Sequence, residues 1–166
     1  MTKKPEHMTS LLGSTLVPKN HPRIMLRGKL DSLQAQVVLT QCELTDKALI
    51  ENLQDILDCL RELMRCEVLG QPFMGASLFG QSYAELHEQS HNPQKYFAVQ
   101  AMHLPDYRHG RDYALLNSLR TAIREAELSA VEAFETEDGV SRTDIVQALN
   151  RLSSAVYVLM CRMLSG

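Results

Sequence analysis

The 166-residue sequence lacks the features that define several large classes of protein. It has no excess of basic residues, since 17 Lys and Arg against 20 Asp and Glu give a formal net charge of -3. This excludes the strongly basic surface of a general nucleic-acid binder, so we expect no nucleic-acid partner. It also has no apolar run suited to a bilayer, because the longest uncharged stretch, Val68–Ala84, is interrupted by Pro72 and by glycines. We therefore expect no membrane partner.

The sequence also lacks paired cysteines and an apolar segment behind its first lysines. Its four cysteines are far apart and form no C-x-x-C pair, which is typical of proteins from a reducing compartment. No apolar core follows Lys3 and Lys4, so we expect no secretory signal. The expected location is the cytoplasm, and association with a bacterial microcompartment is compatible with it. The cysteines are Cys42, Cys59, Cys66 and Cys161.

Strand-like alternation of useful length is also missing, whereas helical periodicity is pronounced. Residues 1–23 contain prolines and a glycine and predict a loop, and residues 24–166 predict a helical domain. Apolar residues recur at steps of three and four in four long segments, and a capping-box pattern, Ser82-x-x-Glu85, opens one short helix. The pattern predicts an all-α fold, a five-helix bundle of four long helices and one short helix. The predicted helices cover 24–44, 46–70, 82–92, 111–135 and 141–164.

The fourth predicted helix carries the polar pattern with the most chemical content. Five polar side chains at steps of three and four share one of its faces. Two of them are arginines one turn apart, and paired guanidinium groups suit phosphate oxygens because they offer planar pairs of donors. Spacing alone favours the alternative, a solvated and salt-bridged helix surface. The five are Asn117, Arg120, Thr121, Arg124 and Glu127.

The short helix contains the pattern H-E-x-x-H, formed by His87, Glu88 and His91. In zinc proteases this pattern places two histidine ligands and a catalytic glutamate on one helix face. Here Asn92-Pro93 ends the predicted helix at once, and no third ligand follows. We therefore predict no metal site, and keep a zinc hydrolase as a minor alternative beside a plain helical interaction module.

Four sequence blocks in order carry a resemblance to a known family. The first is MTSLLGSTLVPKNHPRI at 8–24 and the second is RGKLDSLQA at 27–35. The third is HGRDYALLNSLRTAIREAE at 109–127 and the fourth is ALNRLSSAVYVLM at 148–160. Together they resemble the ATP:cob(I)alamin adenosyltransferases, most closely their ethanolamine-utilisation branch, over nearly the whole chain.

The resemblance implies an enzyme, its substrates and its assembly. It implies a helical bundle that forms a homotrimer with active sites between subunits. It implies transfer of the 5′-deoxyadenosyl group of ATP to the cobalt of cob(I)alamin, giving adenosylcobalamin and triphosphate. ATP, cobalamin and Mg²⁺ are the small molecules that the resemblance calls for, and residues 1–23 would form the nucleotide-binding loop.

The resemblance also implies roles for individual residues. Arg124, Arg120 and Lys19 are expected to be catalytic through stabilisation of the triphosphate charge. Asp31 and Arg120 are expected to form a salt bridge between subunits. Tyr96, Phe97 and Met102 are the expected wall of the cobalamin pocket. The residues expected to bind ATP are Thr9, Ser10, Gly13, Lys19, Arg124, Glu127 and Asn150.

One departure from the family pattern keeps a second function open. The family's T-G-D-x-G segment is missing, and Lys4-Pro5-Glu6-His7 stands in its place. A relative with a weakened hold on the nucleotide can still bind its ligands without catalysis. The alternative to the transferase is therefore a non-catalytic carrier or sensor of cobalamin or ATP with the same fold.

Overall fold

Helices form most of the computed structural model, which describes residues 4–101 and 103–165. The long helices are α1 (Pro22–Glu43), α2 (Lys47–Leu69), α5 (Arg111–Ala133) and α6 (Thr143–Ser165). The short ones are α3 (Tyr83–His91) and α4 (Pro93–Phe97). The all-α prediction is confirmed, and its four long helices and one short helix all form near the predicted bounds. Helix α4 is an addition, on a stretch that was predicted to be a connection.

Local capping explains why the predicted helix bounds fall close to the observed ones. The Asp46 side chain accepts hydrogen bonds from the first backbone N–H groups of α2, and Gly70 ends that helix in the left-handed conformation, φ +67°. The Ser82 hydroxyl accepts from the Glu85 backbone N–H, as the capping box requires. Helix α6 begins at Thr143, and the Ser141 hydroxyl just before it donates to the carbonyl of Phe134.

The long helices pack side by side around one apolar core. Helix α1 lies between α2 and α5, and α5 lies between α1 and α6. Helix α6 also contacts α2, which closes the bundle, and α3 and α4 pack on the outside of α6. The residues with no exposed surface include Leu30, Leu60, Leu119 and Leu152, one from each long helix. Each belongs to the apolar stripe of its helix, so burial of these stripes is what drives the helices together.

Three small antiparallel hairpins lie outside the bundle. The N-terminal hairpin pairs β1 (Met8–Ser10) with β2 (Leu16–Pro18), and Gly13 takes a positive φ in its tip. The others pair β3 (Ser77–Leu78) with β4 (Gln81–Ser82) and β5 (Glu135–Thr136) with β6 (Gly139–Val140). The first 23 residues therefore contain a folded hairpin where the sequence predicted a loop. Its strands have three residues each, too short for alternation to reveal them.

None of the helices in the described part of the chain combines the length and apolar character needed to cross a bilayer.

Candidate functional site

The two arginines predicted to bind phosphate line one cavity on the side of the bundle. Arg120 and Arg124 lie one turn apart on α5, and the cavity between them and α6 has a volume of about 460 Å³. That volume lies in the range typical of small-molecule pockets. No carboxylate is among the described residues that line it. The lining consists of His103, Leu104, Pro105, Tyr113, Asn117, Arg120, Arg124, Tyr157 and Met160.

The electrostatics of this cavity favour an anion. The Arg120 side chain is half-buried, and its Nε and Nη2 atoms donate to the neutral Asn117 Oδ1 at 3.1 and 2.9 Å. Burial and the neighbouring charge of Arg124 lower the pKa of Arg120. The exposed Arg124 forms no hydrogen bond or ion pair with any residue that the structure describes. Two like charges held together without a counter-charge are relieved when a polyanion binds between them.

Aromatic and imidazole groups also line the cavity. His103 Nε2 and the Tyr113 hydroxyl are joined by a hydrogen bond, and the His103 ring stacks against Tyr157 with 6.4 Å between centroids. Burial raises the pKa of Tyr157 to about 12 and also raises the pKa of Tyr113, so both phenols are neutral at physiological pH. This wall therefore presents ring faces and hydroxyl groups to a ligand and no negative charge.

Glu127 and Asn150, both predicted to bind ATP, meet between α5 and α6. The Asn150 side-chain nitrogen donates to both Glu127 carboxylate oxygens at 3.3 Å, and the Asn150 oxygen accepts from Arg151 at 2.6 Å. Glu127 is therefore paired with Asn150 and not with Arg124, although Arg124 lies only three residues away on the same helix. The Thr121 hydroxyl, on the same predicted face, donates to the Ser118 carbonyl and is exposed.

The other predicted ATP ligands lie on or next to the N-terminal hairpin. Thr9 and Ser10 belong to β1, Gly13 lies at the tip, and Lys19 follows β2 with an exposed side chain. None of the four lines the Arg120–Arg124 cavity. One chain therefore presents the predicted nucleotide ligands in two separate groups, the hairpin and the α5 cavity.

Asp31, the predicted partner of Arg120 in another subunit, lies exposed on α1. Within the described residues of one chain it forms no ion pair, and Arg120 forms none either. Because the prediction concerns two subunits, it stays a prediction.

The residues predicted to line the cobalamin pocket lie around α4. Tyr96 is 40% exposed, and its hydroxyl donates to the Glu88 carboxylate at 3.4 Å. Phe97 packs against the apolar core. Neither residue lines the Arg120–Arg124 cavity. The third member, Met102, lies outside the described residues.

Two further cavities are less suited to a phosphate ligand. A groove of about 390 Å³ between α2 and the loop that follows it is lined by Asp55, Asp58 and Glu62, which would repel an anion. A cavity of about 430 Å³ between α1 and α5 carries Glu125 and Glu132 beside Lys29. The arginine cavity is therefore the stronger candidate for a polyphosphate.

The H-E-x-x-H residues lie on α3, as the sequence predicted. The rings of His87 and His91 are 4.2 Å apart between centroids, and His91 Nδ1 hydrogen-bonds to the His87 carbonyl at 2.9 Å. Among the described residues, no group of three His, Cys, Asp or Glu side chains is placed to hold a metal ion.

We expect purified protein to carry no stoichiometric zinc, because a zinc site needs at least three protein ligands and α3 supplies two imidazoles. Elemental analysis after dialysis measures the zinc content. One equivalent of zinc that is retained by the unmodified chain and lost in His87→Ala would contradict this expectation. Replacement of the distant, half-buried His21 by alanine is the matched control.

Sequence reasoning missed two groups that shape the site. One is the His103–Tyr113–Tyr157 wall, whose members come from separate segments and show no common pattern. The other is Glu67, a fully buried carboxylate that binds Arg23 and Arg27. A signal for Glu67 existed, because it lies four residues after Leu63 on the apolar stripe of α2.

Comparisons with known proteins agree with this fold. The cobalamin adenosyltransferase family matches residues 1–163. Similar proteins include the corrinoid adenosyltransferases EutT of Escherichia coli and Salmonella typhimurium, which are 43% and 42% identical over 96% of this chain. The chain spans 60% of the length of these relatives.

Solved structures with the same fold include variants of a PduO-type ATP:corrinoid adenosyltransferase from Lactobacillus reuteri. One, complexed with cobalamin and ATP, has a TM-score of 0.72 at 21% identity and covers 96% of this chain and 89% of its own. Another, complexed with ATP, has a TM-score of 0.70 at 23% identity. Its alignment covers 93% of this chain and 87% of that structure's chain. The family match over almost the whole chain, together with the shared helical fold, shows that this chain belongs to the cobalamin adenosyltransferase family.

Proposed function

We propose that the chain is an ATP:corrinoid adenosyltransferase that moves the 5′-deoxyadenosyl group of ATP to the cobalt of cob(I)alamin. The observation that carries this proposal is the pair Arg120 and Arg124 in a cavity whose described lining has no carboxylate. A triphosphate is the group in this reaction that such a cavity would stabilise. The 43% identity to EutT, whose name includes corrinoid adenosyltransferase, supports the same activity.

The proposed reaction is a nucleophilic substitution at the 5′ carbon of ATP. The cobalt electron pair forms the new Co–C bond while the C–O bond to the triphosphate breaks, and the triphosphate keeps the bonding electrons. Because cob(I)alamin is already a strong nucleophile, the protein acts by positioning and by charge stabilisation. In this proposal Arg124, Arg120 and Lys19 stabilise the triphosphate, and Thr9, Ser10, Gly13, Glu127 and Asn150 also bind ATP.

The proposed active site forms between subunits of a homotrimer. Two observations support this: the hairpin ligands lie apart from the α5 cavity, and α1 and α5 expose large apolar side chains. Met25 is 53% exposed, Leu39 is 60% exposed and Leu128 is 68% exposed. A neighbouring subunit packed on α1 and α5 would cover these apolar side chains. In this arrangement residues 1–23 act as the nucleotide-binding segment and residues 24–166 as the helical domain, with Asp31 reaching Arg120 of a neighbouring subunit.

We assign the corrinoid to the region of α4, where Tyr96 and Phe97 would supply apolar wall. Mg²⁺ would accompany ATP and neutralise part of the triphosphate charge. We propose that the protein acts in the cytoplasm, in ethanolamine utilisation. We also propose that it associates with a bacterial microcompartment.

The direct test is to incubate the protein with ATP and chemically reduced cobalamin and to follow the optical change to the alkyl-cobalt form. We expect alkylation that requires both ATP and protein, with one triphosphate released per adenosylcobalamin formed. A protein that binds ATP and cobalamin tightly and forms no alkyl-cobalt would overturn the proposal.

That outcome would instead establish the second candidate, a non-catalytic carrier or sensor. The observation that favours it is the segment Lys4-Pro5-Glu6-His7, which stands where the family has glycine-containing T-G-D-x-G. Backbone N–H groups of glycine-rich segments commonly hold phosphate, so their replacement weakens the grip on the nucleotide.

A further inference from the structure

A buried carboxylate connects the body of the bundle to the N-terminal hairpin. Glu67, in the last turn of α2, has no exposed surface. Its Oε1 accepts from Arg23 Nε at 2.7 Å, and its Oε2 accepts from Arg27 Nε. Both arginines lie in the first turns of α1 and are 18% and 13% exposed. Glu67 therefore fixes two guanidinium groups between the start of α1 and the end of α2.

Arg27 carries this connection to the hairpin. While its Nε faces Glu67, its Nη2 donates to the Leu11 carbonyl at 2.7 Å, and its Nη1 lies 3.4 Å from the Ser10 carbonyl. Among the described residues, these are the hydrogen bonds that join residues 8–18 to a helix. The Leu12 side chain also lies close to Gly70 at the end of α2. The tip of the hairpin is thus hydrogen-bonded to α1 through Arg27 and lies against the end of α2 through Leu12.

Arg23 does not share this role, although it also binds Glu67. Its Nη2 donates to the Glu67 carbonyl at 3.1 Å, and its guanidinium lies 5.5 Å from the centroid of the Phe134 ring. Arg23 therefore holds Glu67 and the end of α5 in place. Arg27 alone turns part of its guanidinium toward the hairpin.

We propose that Glu67 and Arg27 are positioning residues that hold the N-terminal hairpin in the orientation required for ATP binding. This inference rests on the proposed function, because the hairpin carries Thr9, Ser10 and Gly13. We call Arg27 and Glu67 together the hairpin clamp. Without this clamp, the hairpin occupies its ATP-binding position for only a fraction of the time. The apparent affinity for ATP falls by that fraction, whereas the chemical step in the bound complex is preserved.

The test compares Arg27→Met with Arg142→Met as a matched control. Arg142 makes the same kinds of contact at another loop, an ion pair with Asp144 at 3.0 Å and a bond from Nη2 to the Gln71 carbonyl at 2.7 Å. Each substitution removes one arginine that joins a carboxylate to a loop carbonyl. Only the hairpin loop carries proposed ATP ligands.

Two measurements are made on each variant of the full chain. Hydrogen exchange without nucleotide reports the hairpin amides of Leu11 and Thr15, which bond to the carbonyls of Thr15 and Leu12. For Arg27→Met we expect exchange at least about tenfold faster, a KM for ATP about tenfold higher and a kcat within about threefold of the unmodified chain. For Arg142→Met we expect all three quantities to change by less than about twofold. For Glu67→Gln we expect the same changes in exchange, KM and kcat as for Arg27→Met. If Glu67→Gln does not fold, the Arg27→Met measurements still decide the question.

Different measurements would reject the role of Arg27 and Glu67 and the proposed function. Unchanged hairpin exchange in Arg27→Met would overturn the clamp whether or not the protein is an enzyme. A loss of kcat with an unchanged KM for ATP would overturn the positioning role. An unmodified chain that converts no cobalamin would reject the proposed function, whereas the hairpin exchange of Arg27→Met would still decide whether Arg27 and Glu67 hold the hairpin.

Discussion

Arg124→Ala is expected to slow adenosyl transfer by about a hundredfold while the folding stability stays unchanged. The rate falls because loss of one group that stabilises developing charge costs about 3 kcal/mol in the barrier. The stability is unaffected because Arg124 is exposed and has no hydrogen-bond or ion-pair partner among the described residues. Steady-state kinetics with saturating ATP, together with urea unfolding, measure the two quantities.

Arg111→Ala on the same helix is the matched control. Arg111 is also exposed, forms an ion pair with Glu43 at 2.7 Å, and is not among the residues that line the cavity. An exposed pair of this kind contributes about 0–1 kcal/mol to stability, and its loss leaves turnover within about twofold. If Arg124→Ala kept more than half of the unmodified rate, the assignment of Arg124 to the triphosphate would be wrong.

Asp31→Asn and Arg120→Ala are each expected to weaken both subunit association and ATP binding. In one chain Asp31 is exposed, and Arg120 is half-buried against the neutral Asn117. If a neighbouring subunit brings Asp31 to Arg120, removal of either partner leaves a buried charge uncompensated, at a cost of about 3–5 kcal/mol. Sedimentation at several protein concentrations measures the association constant.

The double variant separates direct contact from coincidence. For residues in contact, the double variant loses far less than the sum of the two single losses. Two unrelated surface charges give additive losses within about 0.5 kcal/mol. A coupling energy near zero would falsify contact between Asp31 and Arg120. A protein that stays monomeric at all concentrations would do the same.

The features that the sequence predicted are those set by neighbours a few residues away. The helix ends at Gly70 and Ser82 follow from a left-handed cap and a capping box, both of which are local in sequence. The common face of Arg120 and Arg124 follows from helical spacing alone. Their placement in a cavity is a tertiary outcome, which the spacing left as one of two alternatives.

The features that the sequence did not predict depend on distant partners. Glu67 is buried only because Arg23 and Arg27, on another helix, neutralise and hydrogen-bond it. Helical periodicity places a glutamate on an apolar stripe but does not identify the cations that compensate it. The bond between His103 and Tyr113 likewise joins a connection to a helix, and no spacing rule relates the two.

The attachment of the hairpin through main-chain carbonyls has a consequence for how freely its sequence can diverge. Arg27 binds the carbonyl groups of Ser10 and Leu11, and every residue type supplies such a carbonyl. The side chains of Ser10 and Leu11 are therefore not constrained by these hydrogen bonds, whereas Leu12 packs close to Gly70. Substitutions at Ser10 or Leu11 are therefore expected to leave both hydrogen bonds from Arg27 in place.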